Sequence, residues 1–86
     1  MAFSTLLTPD NAFAVTKSDT TTVDANGFYV GVTGDVTVMP FWQEGQATPT
    51  AVTFKAVPVG VIINLKISRF MSTGTTATNI IAFQGR

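Results

Sequence analysis

The chain is predicted to be all-β, a small antiparallel β-sandwich or barrel of about six short strands. Three observations predict it. Apolar residues recur at every second position through VTFKAVPVGVIINLKISRF (52–70), the period of a half-buried strand. Gly, Pro and Asn turn signals punctuate the chain at short intervals. Threonine, which suits strands and polar turns, makes up about a sixth of the residues, and no stretch keeps a helical period.

The elements follow in order. Residues 1–11 contain Pro9 and no periodicity, and read as an N-terminal arm before a single β domain over 12–86. Phe3, Leu6 and Leu7 in this arm are poorly suited to water. They either pack back on the domain or reach a neighbour, which makes them candidate interface residues. Phe13–Thr16 is a first strand. Residues 17–26 are polar and end in the turn pair Asn26–Gly27. Phe28, Val30 and Val32 alternate with Tyr29 and Gly31 as a second strand. Thr33-Gly34-Asp35 signals a tight turn, and Val36 and Val38 continue as a third strand, so the pair is expected to form a β-hairpin. Residues 40–49 form a loop carrying Phe41 and the only tryptophan, Trp42.

Two further strands, 51–57 and 60–70, meet at a corner over Pro58–Gly60. Val52, Phe54 and Ala56 are the inward set of the first, and Val61, Ile63, Leu65 and Ile67 of the second. Arg69 falls where that alternation calls for an apolar side chain. A bulge, a subunit contact and an exposed strand end all account for it. STGTTATN (72–79) is a polar turn. Ile80–Phe83 is a last strand whose unbroken apolar run predicts burial on both faces, and 84–86 is a tail.

Composition bounds the function. The chain has 86 residues, 12% of them charged, a net charge of zero, and neither cysteine nor histidine. Typical soluble domains are about 25% charged. A domain this short buries only about 60% of its unfolded surface and usually needs disulfides, a metal or oligomerisation. Disulfides are excluded and a zinc site lacks its usual ligands, so self-association is the expected reinforcement. Lys17, Lys55, Lys66, Arg69 and Arg86 are scattered, which argues against nucleic acid. MAFSTLLTPD lacks the basic and long apolar regions of a signal peptide. The most apolar window, 57–65, is shorter than the ~20 residues of a membrane span.

No catalytic constellation is visible. Histidine and cysteine, the usual proton carriers and nucleophiles, are missing, and nothing brings two of the acids Asp10, Asp19, Asp24, Asp35 and Glu44 together. Asp19, Asp24 and Asp35 sit in or beside turns, where aspartate is expected to bond the local backbone. The glycines follow no phosphate-binding pattern, and the acids match no calcium loop. No catalytic, cofactor or metal residue is assigned. Phe41 and Trp42 are the exception to this blandness: they cap the β core, anchor a protein partner or stack on a sugar.

The segments FAVTKSDTTTV (13–23), GFYVGVTGDVTVMP (27–40), VTFKAVPVGVIINLKISRF (52–70) and STGTTATNIIAF (72–83) together carry a resemblance. They are similar to the small head-spike base proteins of tailed phages and gene transfer agents. The shared features are the Phe13–Thr16 start, the Tyr29–Gly31 strand, the Gly34–Asp35 turn, the Val57–Gly60 corner and the Thr73–Ala77 turn. The resemblance implies a virion structural protein on the capsid exterior, made in the host cytoplasm. It would form a ring, a pentamer at capsid vertices, and dock to the major capsid protein, with a spike or fibre on top. The long 40–50 loop departs from the pattern and leaves the position on the particle open. A trimeric cement or decoration protein is the alternative within the structural class, and a carbohydrate-binding β module using Trp42 is the alternative outside it. Phe3, Leu6, Leu7, Phe41, Trp42 and Arg69 are the candidate interface residues.

Overall fold

A computed structural model describes residues 10–85 of the protein. Six strands form one sheet: β1 (Asn11–Ala14), β2 (Ala25–Val32), β3 (Gly34–Pro40), β4 (Val52–Val57), β5 (Ile63–Phe70) and β6 (Thr78–Gln84). A short 3-10 helix, Phe41–Gly45, follows β3. The sheet order is β1-β6-β2-β5-β3-β4, and every neighbouring pair is antiparallel. The all-β reading holds, and the sheet is not closed into a barrel.

The expected β2–β3 hairpin does not form, because β5 lies between the two strands. Only Thr33 separates β2 from β3, so the two behave as one long strand that bends instead of reversing. Gly34 serves close packing here: a Cβ on it would sit 2.6 Å from the Ala77 backbone nitrogen. Asp35 C=O accepts from the N–H groups of Thr76 and Ala77, which ties that polar turn to the start of β3.

β5 is the other bent strand. Its first half pairs with β2 (Gly27↔Asn64, Phe28↔Ile63) and its second half with β3 (Val38↔Phe70, Met39↔Arg69). The register shifts in both pairings, by one extra residue on β5 each time, as β-bulges do. The two bent strands fold the sheet over on itself. Phe28 of β2 therefore meets Phe54 of β4 edge-on, with ring centroids 6.2 Å apart, although the strands are not sheet neighbours. Phe28 also meets Phe70 at 5.5 Å and 89°. Phe28, Val30, Val36, Val38 and Ile67 are fully buried in the core between the two limbs.

Three details of the expected alternation are corrected. Val52 and Ala56 are exposed, because β4 is an edge strand and its register shifts, so Val57 takes the inward place. Val61 is exposed, because the corner runs on to Ile62 and β5 starts only at Ile63. Gly60 at φ +82° gives that corner the left-handed residue it needs, with Val61 N–H bonding Pro58 C=O at 3.4 Å. On β6, Ile80 and Ala82 are buried while Ile81 and Phe83 are half-buried, so among the described residues only one face of this strand is fully covered.

Candidate functional site

The 3-10 helix stands where β3 can no longer pair. Pro40 ends the strand, and the chain turns out over β5. Phe41 and Trp42 lead this turn and are 53% and 69% exposed. Exposed aromatics of this size need either a partner or a support. The support comes from Glu44, two residues after Trp42. Its Oε2 accepts from Arg69 Nε at 2.6 Å and its Oε1 from Arg69 Nη2 at 3.2 Å, a two-pronged ion pair. Ser68 Oγ lies 2.6 Å from Glu44 Oε2 and 3.1 Å from Met39 C=O, two acceptors for its one proton. Arg69 Nη1 donates to Asp19 C=O at 2.8 Å.

The bulge in β5 makes this possible. It breaks the strand's alternation beside Ser68 and Arg69 and turns them toward the helix, while Phe70 returns to the core. Arg69 is thus not an exposed strand end; its side chain is 19% exposed and its donors are engaged within the chain. Hydrogen bonds from Arg69 and then Ser68 hold the Glu44 carboxyl below its ordinary pKa.

Asp19 completes the base of the cluster. Its Oδ1 accepts from the N–H groups of Ser72 and Thr73 at 2.7 and 2.9 Å, and its Oδ2 from the Thr73 hydroxyl at 2.6 Å. The Thr73 bonds, from side chain and backbone, lower its pKa. Lys66 frames the other flank: its Nζ lies 5.0 Å from the centre of the Phe41 ring and 2.8 Å from Asp24 Oδ1. The turn aspartates therefore work across the fold instead of locally. Asp19 reaches the 72–73 turn, Asp24 reaches Lys66, and Asp35 accepts from Ala56 N–H at 2.9 Å.

Of the candidate residues, the structure places Phe41 and Trp42 on the same 3-10 turn as Glu44, the ion-pair partner of Arg69. Phe3, Leu6 and Leu7 lie outside the described residues. Glu44, Ser68 and Asp19 were not singled out from sequence; the broken alternation at Arg69 was their only trace. Among the described residues no group of three or more His, Cys, Asp or Glu gathers that could hold a metal ion.

Neither a protein-family model nor a curated protein sequence matches the chain. Among solved structures, the fold is similar to a chain of one described as "Capsid of native GTA particle computed with C5 symmetry", GTA standing for gene transfer agent. The TM-score is 0.72 at 23% identity, over 88% of this chain and 83% of that one. The protein has the fold of a chain from a gene transfer agent capsid structure.

Proposed function

We propose that the protein is a virion structural subunit, a head-spike base or capsid-vertex protein that self-assembles and docks to the major capsid protein. The observation that carries this reading is the fold shared, over most of both chains, with a chain of a gene transfer agent capsid structure. The surface chemistry supports it. Phe41 and Trp42 are apolar and exposed, on a turn that the Glu44–Arg69 ion pair ties to β5, an arrangement suited to interface anchors. A pre-ordered anchor loses less conformational entropy on docking. Arg69 serves this interface as a positioning residue, through Glu44. The neutral, charge-poor chain suits a subunit that spends its life inside an assembly.

Native mass spectrometry at several concentrations tests the assembly. A stable pentamer is the expected species. A trimer would move the reading to a cement protein at three-fold positions. Docking is tested by incubating purified protein with particles that lack it. Phe41→Ala/Trp42→Ala is expected to lose docking while its circular dichroism stays native. Undiminished docking by that variant would remove the aromatic turn from the interface, and glycan-array binding by the native protein that is lost on Trp42→Ala would favour carbohydrate recognition.

A further inference from the structure

We propose that copies of the chain join edge to edge, the open edge of β4 on one copy pairing antiparallel with the open edge of β1 on the next. The inference rests on the self-association proposed above and names the contact that carries it. β1 and β4 are the two end strands of the sheet, so each has one side that no other described strand covers.

The hydrogen bonds show which main-chain groups face outward. Thr37 N–H donates to the Thr75 hydroxyl and Thr37 C=O accepts from Met71 N–H, each at 2.9 Å and neither on β4. Thr53 stands directly opposite Thr37, so the two form the closely spaced, non-hydrogen-bonded kind of antiparallel pair. Their hydroxyls accordingly lie 2.8 Å apart, and Thr53 N–H and C=O face the open side. Ala56 N–H points back to Asp35 at the start of β3, so Lys55 faces outward as Thr53 does. On β1, Val15 N–H donates to Ile80 C=O at 2.9 Å, toward β6. Alternation then turns Phe13 to β6 and leaves Ala12 and Ala14 facing out. Asp10 N–H bonds Gln84 C=O, which ends the outward run at Ala12. Among the described residues, the outward groups of Ala12, Ala14, Thr53 and Lys55 have no partner.

One antiparallel register pairs all four, Ala12 with Lys55 and Ala14 with Thr53. The main chain alone selects it, and the side chains agree. It sets Phe13 opposite Phe54 and Val15 opposite Val52 on the core-facing side. Phe13, Val15 and Phe54 pack on the core but are only half-buried, and Val52 is 41% exposed. Aromatic and β-branched cross-strand pairs of this kind stabilise a sheet and would cover all four. On the other face the small side chains of Ala12 and Ala14 leave room for Lys55 and its Asp35 partner. Pairing of like edges is poorer. β4 against β4 makes the two Lys55 ammoniums diagonal neighbours, about 7–8 Å apart on one face. β1 against β1 leaves both β4 edges open. Head-to-tail pairing uses both edges of every copy, and a closed ring of copies leaves none exposed.

The chain has no cysteine, so an introduced pair supplies its only thiols. The full-length Ala14→Cys/Thr53→Cys variant, oxidised after purification, is expected to give covalent species up to the size of the whole oligomer on a non-reducing gel, all collapsing with dithiothreitol. Ala12→Cys/Thr53→Cys puts the thiols on diagonal positions about 7–8 Å apart, too far for a disulfide, and is expected to stay unlinked, as are the single variants. Ala14→Pro removes an outward N–H at a place where an edge strand tolerates proline. It is expected to keep a native circular dichroism spectrum and to run as a monomer in native mass spectrometry. A native protein that is monomeric at every concentration would overturn the self-association and this inference together. An oligomeric native protein whose Ala14→Cys/Thr53→Cys variant links no more than the diagonal control would overturn this inference alone. So would a link closed within one chain, linked dimers of either single variant, or an Ala14→Pro variant that keeps the native oligomer.

Discussion

Glu44 links three parts of the chain with one carboxylate: the aromatic turn, β5 through Ser68, and the 15–24 segment through Arg69 and Asp19 C=O. Arg69→Lys keeps the charge but loses the planar two-pronged pairing. It is expected to leave the fold intact, lower the urea midpoint and raise the mobility of the Trp42 indole, read by fluorescence anisotropy. An unchanged anisotropy would mean that the ion pair does not hold the turn. Ala56 shows a different economy. It sits at φ +49°, a left-handed conformation that costs an alanine about 1–2 kcal/mol, offset by the Asp35 bond to its N–H. Ala56→Gly relieves that strain at some entropic cost, so a stabilisation of about 0.5–1 kcal/mol is expected from urea denaturation. A loss of stability would show that the strain is negligible.

Among the elements, the two bent strands decide the architecture, and their fixings are distinct. The β2–β3 bend depends on Gly34, where any side chain meets the Ala77 backbone. The β5 bend depends on its bulges and on Asp19, which clasps the following turn. Gly34→Val is therefore expected to destabilise far more than a valine at Gly45, which has open space around it. Equal thermal midpoints for the two variants would contradict the close-packing role. In the core, Phe28 touches both limbs through Phe54 and Phe70. Phe28→Ala is expected to cost about 3–5 kcal/mol, enough to unfold a marginal domain. The hairpin reading of β2 and β3 failed at this scale. Thr33-Gly34-Asp35 is turn vocabulary, but Gly in such a triplet serves close packing as readily as chain reversal, and only the position of β5 distinguishes the two.

For the molecule as a whole, stability depends on carboxylates that receive hydrogen bonds. Asp19, Asp35 and Glu44 all have lowered pKa values, from the Thr73 hydroxyl, the Ala56 N–H and the Arg69 guanidinium respectively. The folded state thus binds these protons more weakly than the unfolded chain. Their stabilisation is complete above the ordinary carboxylate range near pH 4 and fades as pH falls through the lowered values. The urea midpoint is expected to stay level from neutral pH to about pH 5 and to drop steadily below about pH 4. A level midpoint down to about pH 2 would contradict the sign of all three shifts. The self-association proposed above has the opposite character: it is assigned to apolar and main-chain groups, and only 12% of the residues are charged, so added salt is not expected to dissociate it. An oligomer that falls apart in salt would point to an electrostatic interface instead.

The sequence by itself determined the class, the number and the approximate bounds of the strands. Period-two alternation and turn residues are local signals, and they act on neighbouring residues whatever the rest of the chain does. It also singled out Phe41, Trp42 and Arg69 by their chemistry and by a break in period. The tertiary structure alone decided which strands are neighbours, because pairing order depends on contacts between residues distant in the chain. It alone joined Arg69 to Glu44, since a bulge reorients side chains without any residue type that announces it. The aspartates show the same limit. Their affinity for backbone N–H groups is legible in the residue type, but the 72–73 turn that Asp19 clasps and the strained Ala56 that Asp35 holds are supplied only by the fold.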